Sequence, residues 1–371
     1  MKNLDKGLIL CALMVVFPFF SHAQSGEWMP AKDKASNLVL THPTVSNLRV
    51  MVNLVDKGLI SLEGYRLVGV YHQHERYDYA RSRQFLDTLS YVDQEIVLRE
   101  IRDTIHPGVL YGENELSDDY QTIFRQSEGI IFFGGPDLPP EVYGEQTNLH
   151  TSIYDPFRHY FELSFLHHLL GGSQQSGVQP LMQENPDYLV YGFCLGMQTI
   201  NVATGGTMIQ DIPSEIYNLR YVEEILKLDR DRIHRNYNRA IHMDEDLISG
   251  YFHSVHFTQT HYTRGLDLSE MHPVVYSNHH QAIDKLGKGL QVMATSMDGK
   301  VVEGIIHERY HNVIGVQFHP EAYFLYDTSQ TYRIGVDDTF SFTGREMLQK
   351  SRSLEFHKKY WKDFEQRLRE R

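Results

Sequence analysis

The chain has 371 residues, of which 41% are hydrophobic and 22% charged, enough apolar content for a sizeable core and too much for wholesale disorder. Its formal net charge of −13 argues against broad binding to nucleic acid or to anionic membrane.

Residues 1–23 read as a secretory signal. Lys2 and Lys6 form a basic start, Leu8 to Phe20 is apolar, and Ser21-His22-Ala23 offers a small-x-small cleavage site. The apolar run of about 13 residues is short for a membrane span, which needs roughly 20. Cleavage would remove Cys11 and leave Cys194 as the sole cysteine, so the mature chain could form no internal disulfide. Residues 24–60 are expected to be an N-terminal extension, with near-helical apolar spacing from Asn47 to Ile60.

The main domain is expected over 61–336. Tyr65 to Tyr71 reads as a buried strand, and a charged helical stretch follows from Tyr77 to about Arg102. Gly129 to Phe133 reads as a second buried strand running into the sharp turn Gly134-Gly135-Pro136-Asp137. A helix is expected over Phe157 to Leu170, a strand over Tyr188 to Phe193, and a helix over Leu195 to Ala203 that Gly205-Gly206 closes. The charged, irregular stretch at about 216–250 reads as an insertion. Strands return at Leu290 to Thr295, Val301 to Ile306 and Val313 to Phe318. Residues 337–371 are expected to form a helical tail, with Leu354, Tyr360, Trp361, Phe364 and Leu368 as its apolar positions. Buried strands alternating with helices argue for an α/β fold, a mostly parallel sheet covered on both faces.

Cys194 lies between an apolar strand and a helix. Such a turn exposes its middle residue at the carboxyl edge of the sheet, where ligands bind in open α/β folds. Gly192 and Gly196 remove side chains where the turn is tight, and the helix amino terminus favours a thiolate. Gln198, four residues on, shares a helix face with Cys194 and is a candidate substrate contact. The run Gly192-Phe-Cys-Leu-Gly-Met-Gln198 resembles the nucleophile motif of class I glutamine amidotransferases. The continuation from Asn201 to Glu215 is similar to one branch of that superfamily, the γ-glutamyl-γ-aminobutyrate hydrolase-like cysteine peptidases. The resemblance implies a flavodoxin-like three-layer sandwich.

About 125 residues downstream stands Gly315-Val-Gln-Phe-His-Pro-Glu321. His319 and Glu321 are two apart in an extended run, so their side chains point the same way. That arrangement suits a carboxylate orienting an imidazole that deprotonates a thiol and later protonates a leaving amine. Cys194, His319 and Glu321 are therefore the expected catalytic triad. The resemblance places the oxyanion loop at Gly134-Gly135, where the N–H of Gly135 and that of Leu195 would stabilise a tetrahedral oxyanion, with Gly134 also near substrate. Asp137 to Glu145 matches the branch's Pro and Tyr-Gly placement. Asp155 to Glu162 resembles its Asp-x-x-Arg-Asp-x-x-Glu helix start, except that His159 stands where Asp is common. Ser277 to Ile283 resembles its Asn-Ser-x-His-His-Gln segment, which makes His280 a candidate substrate contact. Leu195 replaces the Arg that this branch often carries after its cysteine.

Other patterns carry less. His307-Glu-Arg-Tyr-His311 has the zinc-protease spacing, but that spacing binds metal only on a helix, and here it falls in a turn between two strands. His253, His256 and His261, and likewise His72 and His74, fit no recognised metal-ligand spacing. The reading calls for no cofactor, no metal and no nucleic-acid partner, and for no stable membrane insertion once the signal is removed. Homo-oligomerisation stays open. The expected function is an exported, periplasmic or extracellular cysteine hydrolase of a γ-glutamyl amide or related amide. The alternatives are a glutamine amidotransferase or γ-glutamyl transferase activity, or a catalytically silent binding protein on the same fold.

Overall fold

The structure is a computed structural model that describes residues 29–30, 35–89, 94–174, 177–242, 244, 246–266 and 272–370. The expected signal at 1–23 lies outside these residues.

Twelve strands and ten α-helices follow in chain order among the described residues. They are β1 (Ser36–Thr41), α1 (Val45–Asp56), β2 (Tyr65–His72), α2 (Ala80–Asp87), β3 (Ile96–Ile101), α3 (Ser117–Arg125), β4 (Gly129–Phe132), α4 (Pro156–Leu170), β5 (Leu189–Phe193) and α5 (Leu195–Ala203). Next come β6 (Met208–Ile209), α6 (Ile212–Glu215), α7 (Val222–Ile225), β7 (Tyr251–Phe257), α8 (His261–Gly265), β8 (Val274–Ser277), β9 (Ala282–Ile283), β10 (Leu290–Ser296), β11 (Val302–His307) and β12 (Val313–Val316), and finally α9 (Gly344–Lys350) and α10 (Leu354–Arg369). Ten strands form one sheet in the order β3-β2-β1-β4-β5-β12-β11-β10-β7-β8. The first six run parallel, and β11, β10, β7 and β8 extend the sheet antiparallel.

Alternation along β1 explains the three layers. Leu38 and Leu40 face the apolar cluster that contains Leu48 and Met51 of α1 and Trp361 and Phe364 of α10. Val39 faces the opposite cluster, with Phe161 and Phe165 of α4 and Ile200 of α5. Period-two side chains on a central strand thus feed a core on each face. Helix α4 begins where Asp155 accepts from Arg158 N and Pro156 occupies the first turn, a position where a missing N–H costs nothing.

Three expectations are corrected. Residues from Ser36 are not an extension, because β1 pairs with both β2 and β4 near the middle of the parallel half. The stretch from Tyr77 to Arg102 is not one helix. It contains α2 and then β3, whose Ile96, Val97 and Leu98 pair with β2 at the sheet edge, where charged neighbours stay solvated. The tail is two helices broken at Arg352, which has φ 58°, and it packs as part of the core rather than as an appendage. Phe356, Tyr360, Trp361, Phe364 and Leu368 are all buried at helical spacing, and each such burial is worth about 1.5–3 kcal/mol.

Candidate active site

The parallel strands deliver three loops to one edge. Cys194 follows β5, the Gly134-Gly135 loop follows β4, and His319 follows β12. Cys194 caps α5 at φ 51° and ψ −103°, a left-handed backbone that a residue with a Cβ adopts at a cost of about 1–3 kcal/mol. The elbow is closed by close backbone approach. A Cβ on Gly192 would lie 2.6 Å from the Gly196 carbonyl carbon, and one on Gly196 would lie 2.3 Å from the Phe132 oxygen. The Cys194 N–H donates to Val316 O at 2.8 Å and ties the elbow to the neighbouring strand.

The triad expected from sequence is assembled. His319 Nδ1 lies 2.7 Å from Glu321 Oε1, and Cys194 is close enough to the ring to raise its pKa. Burial would by itself lower the imidazole pKa, but the Glu321 carboxylate and the Cys194 sulfur outweigh it and hold the pKa well above the ordinary value. A Cβ on Gly134 would stand 2.7 Å from His319 Cε1 and 3.5 Å from Cys194 Cβ, so this loop position faces both reacting groups.

Arg158, which is 2% exposed, holds the Gly134-Gly135 loop from behind. Its Nη2 donates to Phe133 O at 2.8 Å and to Gly134 O at 3.1 Å. Because the peptide is trans, fixing the Gly134 carbonyl toward Arg158 turns the Gly135 N–H to the opposite side. Arg158 Nε is 3.1 Å from Glu162 Oε1, which also accepts from Thr41 Oγ1 of β1 at 2.7 Å. The N–H of Leu195, first in α5, has no acceptor within its helix. His159, where the family's Asp is common, is fully buried, and burial keeps it neutral by lowering its pKa to about 3.

Two expected substrate contacts have protein partners in the structure. Gln198 is 3% exposed, and its Nε2 donates to Gln317 Oε1 at 3.3 Å, while Gln317 Nε2 donates to Cys194 Sγ at 3.5 Å. The face that Gln198 shares with Cys194 is the face packed on β12, so Gln198 supports the nucleophile from below. His280 bridges two carboxylates, with Nε2 3.1 Å from Asp137 Oδ2 and Nδ1 3.2 Å from Asp211 Oδ1. Burial opposes its charge, yet the two carboxylates raise its pKa to about 9. Both ring nitrogens are engaged, so His280 ties Asp137, after the Gly134-Gly135 turn, to Asp211.

A cleft of about 350 Å³ opens on Gly134, His319 and Glu321. Its walls include Asn47 and Val50 of α1, Ser249 of the insertion, Tyr276, Asn278 and Tyr323. Ser249 and Asn278 also line an adjoining cavity of about 440 Å³ that carries Arg220, Arg235 and Arg239. Sequence reasoning missed these wall residues. Asn278 alone sat within a recognised motif, beside the His280 that was chosen instead.

The remaining histidine patterns separate. His307 ends β11, and the segment to β12 is a turn, as expected. His261 packs against His311 with ring centroids 3.9 Å apart, and His256 lies beside His272. His253 belongs to neither pair.

The sequence model of the peptidase C26 family matches residues 67–321. The chain is 28% identical over 193 residues to a glutamine amidotransferase-like protein of Lactococcus lactis, covering 52% of this chain and 65% of that protein. It is 30% identical over 217 residues to a protein of Mycobacterium tuberculosis described as a glutamine amidotransferase, covering 58% and 57% of the two chains. A glutamine amidotransferase-like protein of Rickettsia prowazekii is 26% identical over 226 residues, covering 55% and 74%. The chain thus spans less than two thirds of the length of the first two relatives. β1 and α1, with their part of the cleft wall, precede the stretch matched by the family model.

Proposed function

The chain belongs to the peptidase C26 family, and from that premise we propose that it hydrolyses γ-glutamyl amides through a thioester on Cys194. The observation that carries this reading is the elbow-strained Cys194 held against His319, whose far nitrogen is fixed by Glu321. A binding protein has no use for a strained thiol, an oriented imidazole and a carboxylate in register.

The steps follow from the geometry. His319 takes the Cys194 thiol proton to form a thiolate–imidazolium pair, the thiolate attacks the amide carbon, and the carbonyl electron pair moves to oxygen. The N–H groups of Gly135 and Leu195 receive that oxyanion. Collapse of the intermediate breaks the C–N bond, and His319 passes its proton to the leaving nitrogen. Water then attacks the thioester with His319 as base, which releases the acid and restores the thiol. Glu321 fixes the ring tautomer and stabilises the imidazolium throughout.

The polar wall made by Asn47, Asn278 and Ser249 suits the amino-acid head of a γ-glutamyl group. The adjoining arginine-bearing cavity suits a carboxylate on the leaving group. Export is part of the proposal, and it is supported by the basic start, apolar run and small-x-small site at residues 1–23. A hydrolase fits that compartment better than an ammonia donor to an ATP-dependent synthase. The test is release of free glutamate from a panel of γ-glutamyl amides, with and without added acceptor amines. Glutamate alone supports hydrolysis, whereas amine-dependent γ-glutamyl products would overturn it in favour of transfer. Fractionation of cells with N-terminal sequencing tests export, and an uncleaved cytoplasmic chain would refute it.

A further inference from the structure

Four buried side chains outside the active site converge without satisfying one another. His234 of the insertion, His253 of β7, His279 of the β8–β9 loop and Glu303 of β11 each offer a donor atom, and these atoms all lie within 4.8 Å of one another. Their exposures are 2%, 0%, 4% and 0%. Glu303 Oε1 lies 3.1 Å from His234 Nδ1, 3.8 Å from His253 Nε2 and 3.9 Å from His279 Nε2. Yet both Glu303 oxygens, both His234 nitrogens and His279 Nε2 make no hydrogen bond of acceptable geometry. Leaving so many polar atoms buried and unmatched costs on the order of 1–3 kcal/mol each, so the arrangement calls for something that takes up their lone pairs.

We propose that these four residues form a structural zinc site that pins the 216–250 insertion to the antiparallel half of the sheet. Three imidazoles and one carboxylate are a donor set that zinc accepts in a closed tetrahedron. Zinc–ligand bonds of about 2.0–2.2 Å set neighbouring donors roughly 3.3 Å apart. The distances to Glu303 Oε1 run from 3.1 to 3.9 Å, and the donor set, all within 4.8 Å, would contract toward that value around an ion. The outer contacts select the right ring nitrogens. His279 Nδ1 donates to Gln281 O at 2.9 Å, and His253 Nδ1 donates to Ser254 O at 3.2 Å, which leaves each Nε2 lone pair facing the cluster. His253 Nε2 is also 2.8 Å from Ser277 Oγ, a hydroxyl that can rotate away.

The site would reach the chemistry only through the backbone. His279 N donates to His234 O at 3.1 Å, and the next residue, His280, holds Asp137 of the oxyanion loop. Gln317, which contacts Cys194, donates its N–H to Glu303 O at 2.9 Å. A four-protein-ligand shell has no open position, so a positioning role follows rather than a Lewis-acid one.

The test uses the full mature chain, with any affinity tag removed so that added histidines hold no metal. The protein is incubated with excess zinc chloride, desalted and assayed for bound metal, alongside Glu303→Gln and His279→Gln. The proposal expects about one zinc per wild-type chain, at least about a tenfold loss in each variant, and a zinc-dependent rise in Tm of about 5 °C or more in wild type alone. Cobalt in place of zinc should give the visible absorption of a tetrahedral site, a readout on wild type that stands even if the variants fail to fold. Fewer than about 0.1 zinc per wild-type chain would overturn the proposal. Equal zinc on wild type and folded variants would also overturn it, because the metal would then sit on other histidines. None of these readouts depends on the hydrolase reading.

Discussion

The two halves of the sheet use buried polar groups in opposite ways. In the parallel half, Cys194, His319 and Glu321 stand at strand ends, His319 and Glu321 line a cleft, and the His319 side chain keeps 17% of its surface exposed. Each is held by a small number of partners, and the imidazole retains a nitrogen that can exchange a proton. In the antiparallel half, His234, His253, His279 and Glu303 are buried with one donor atom each within 4.8 Å of the others. The same residue types thus give a site for turnover where the shell is open and a fastening where it is closed. What separates them is backbone. Parallel strands deliver loops to one edge, whereas antiparallel strands and the insertion bury theirs between layers.

The largest effect that would break this comparison comes from the nucleophile. Cys194→Ala should lower turnover by about 10⁴-fold or more and leave the thermal melt nearly unchanged, because the left-handed backbone already tolerates a Cβ. Next is Glu321→Gln, expected to cost about 10²–10⁴-fold in kcat. The sign of its pH effect is fixed. Glu321 raises the His319 pKa, so removing its charge lowers it, and the alkaline limb of kcat/KM should move to lower pH.

Arg158→Lys keeps the charge against Glu162 but loses the fork that holds the Phe133 and Gly134 carbonyls. It should reduce kcat by about 10–10²-fold with little change in KM, since the oxyanion exists only in the transition state. A rise in KM at constant kcat would place Arg158 in substrate binding instead.

His280→Gln should read out as a change in the pH dependence of stability. With a folded-state pKa of about 9 against an unfolded value near 6.5, protonated His280 contributes stability that is complete below about 6.5 and lost as pH rises through about 9. Denaturant titrations across that window should therefore be flatter in the variant. The smallest effect is expected from Trp361→Phe. Trp361 Nε1 donates to Tyr326 Oη at 2.9 Å, and Tyr326 Oη donates to Pro320 O at 2.6 Å, between His319 and Glu321. Losing that support should cost about 1–2 kcal/mol of stability and less than about twofold in kcat, measured by melts and steady-state rates.

The sequence revealed the features that local pattern dictates. A cysteine between a buried strand and a helix, flanked by glycines, has little conformational choice, and His319-Pro320-Glu321 two apart in extended chain points both side chains one way. What it hid depends on neighbours distant in the chain. The helical face of Gln198 was legible, but not that β12 packs against that face. β3 reads as charged helix because an edge strand keeps its charges in water, and β1 with α1 reads as an appendage because nothing local signals that it enters between β2 and β4. The cleft wall of Asn47, Ser249 and Asn278 and the cluster at 234, 253, 279 and 303 exist only once the sheet is folded.

The most direct measurement of the central claim is intact-mass spectrometry of the protein during turnover of γ-glutamyl amides, glutamine included. The account predicts a transient gain of one γ-glutamyl group on the wild-type chain and none on Cys194→Ala. Turnover without any adduct on Cys194, or an adduct that survives its replacement, would contradict it.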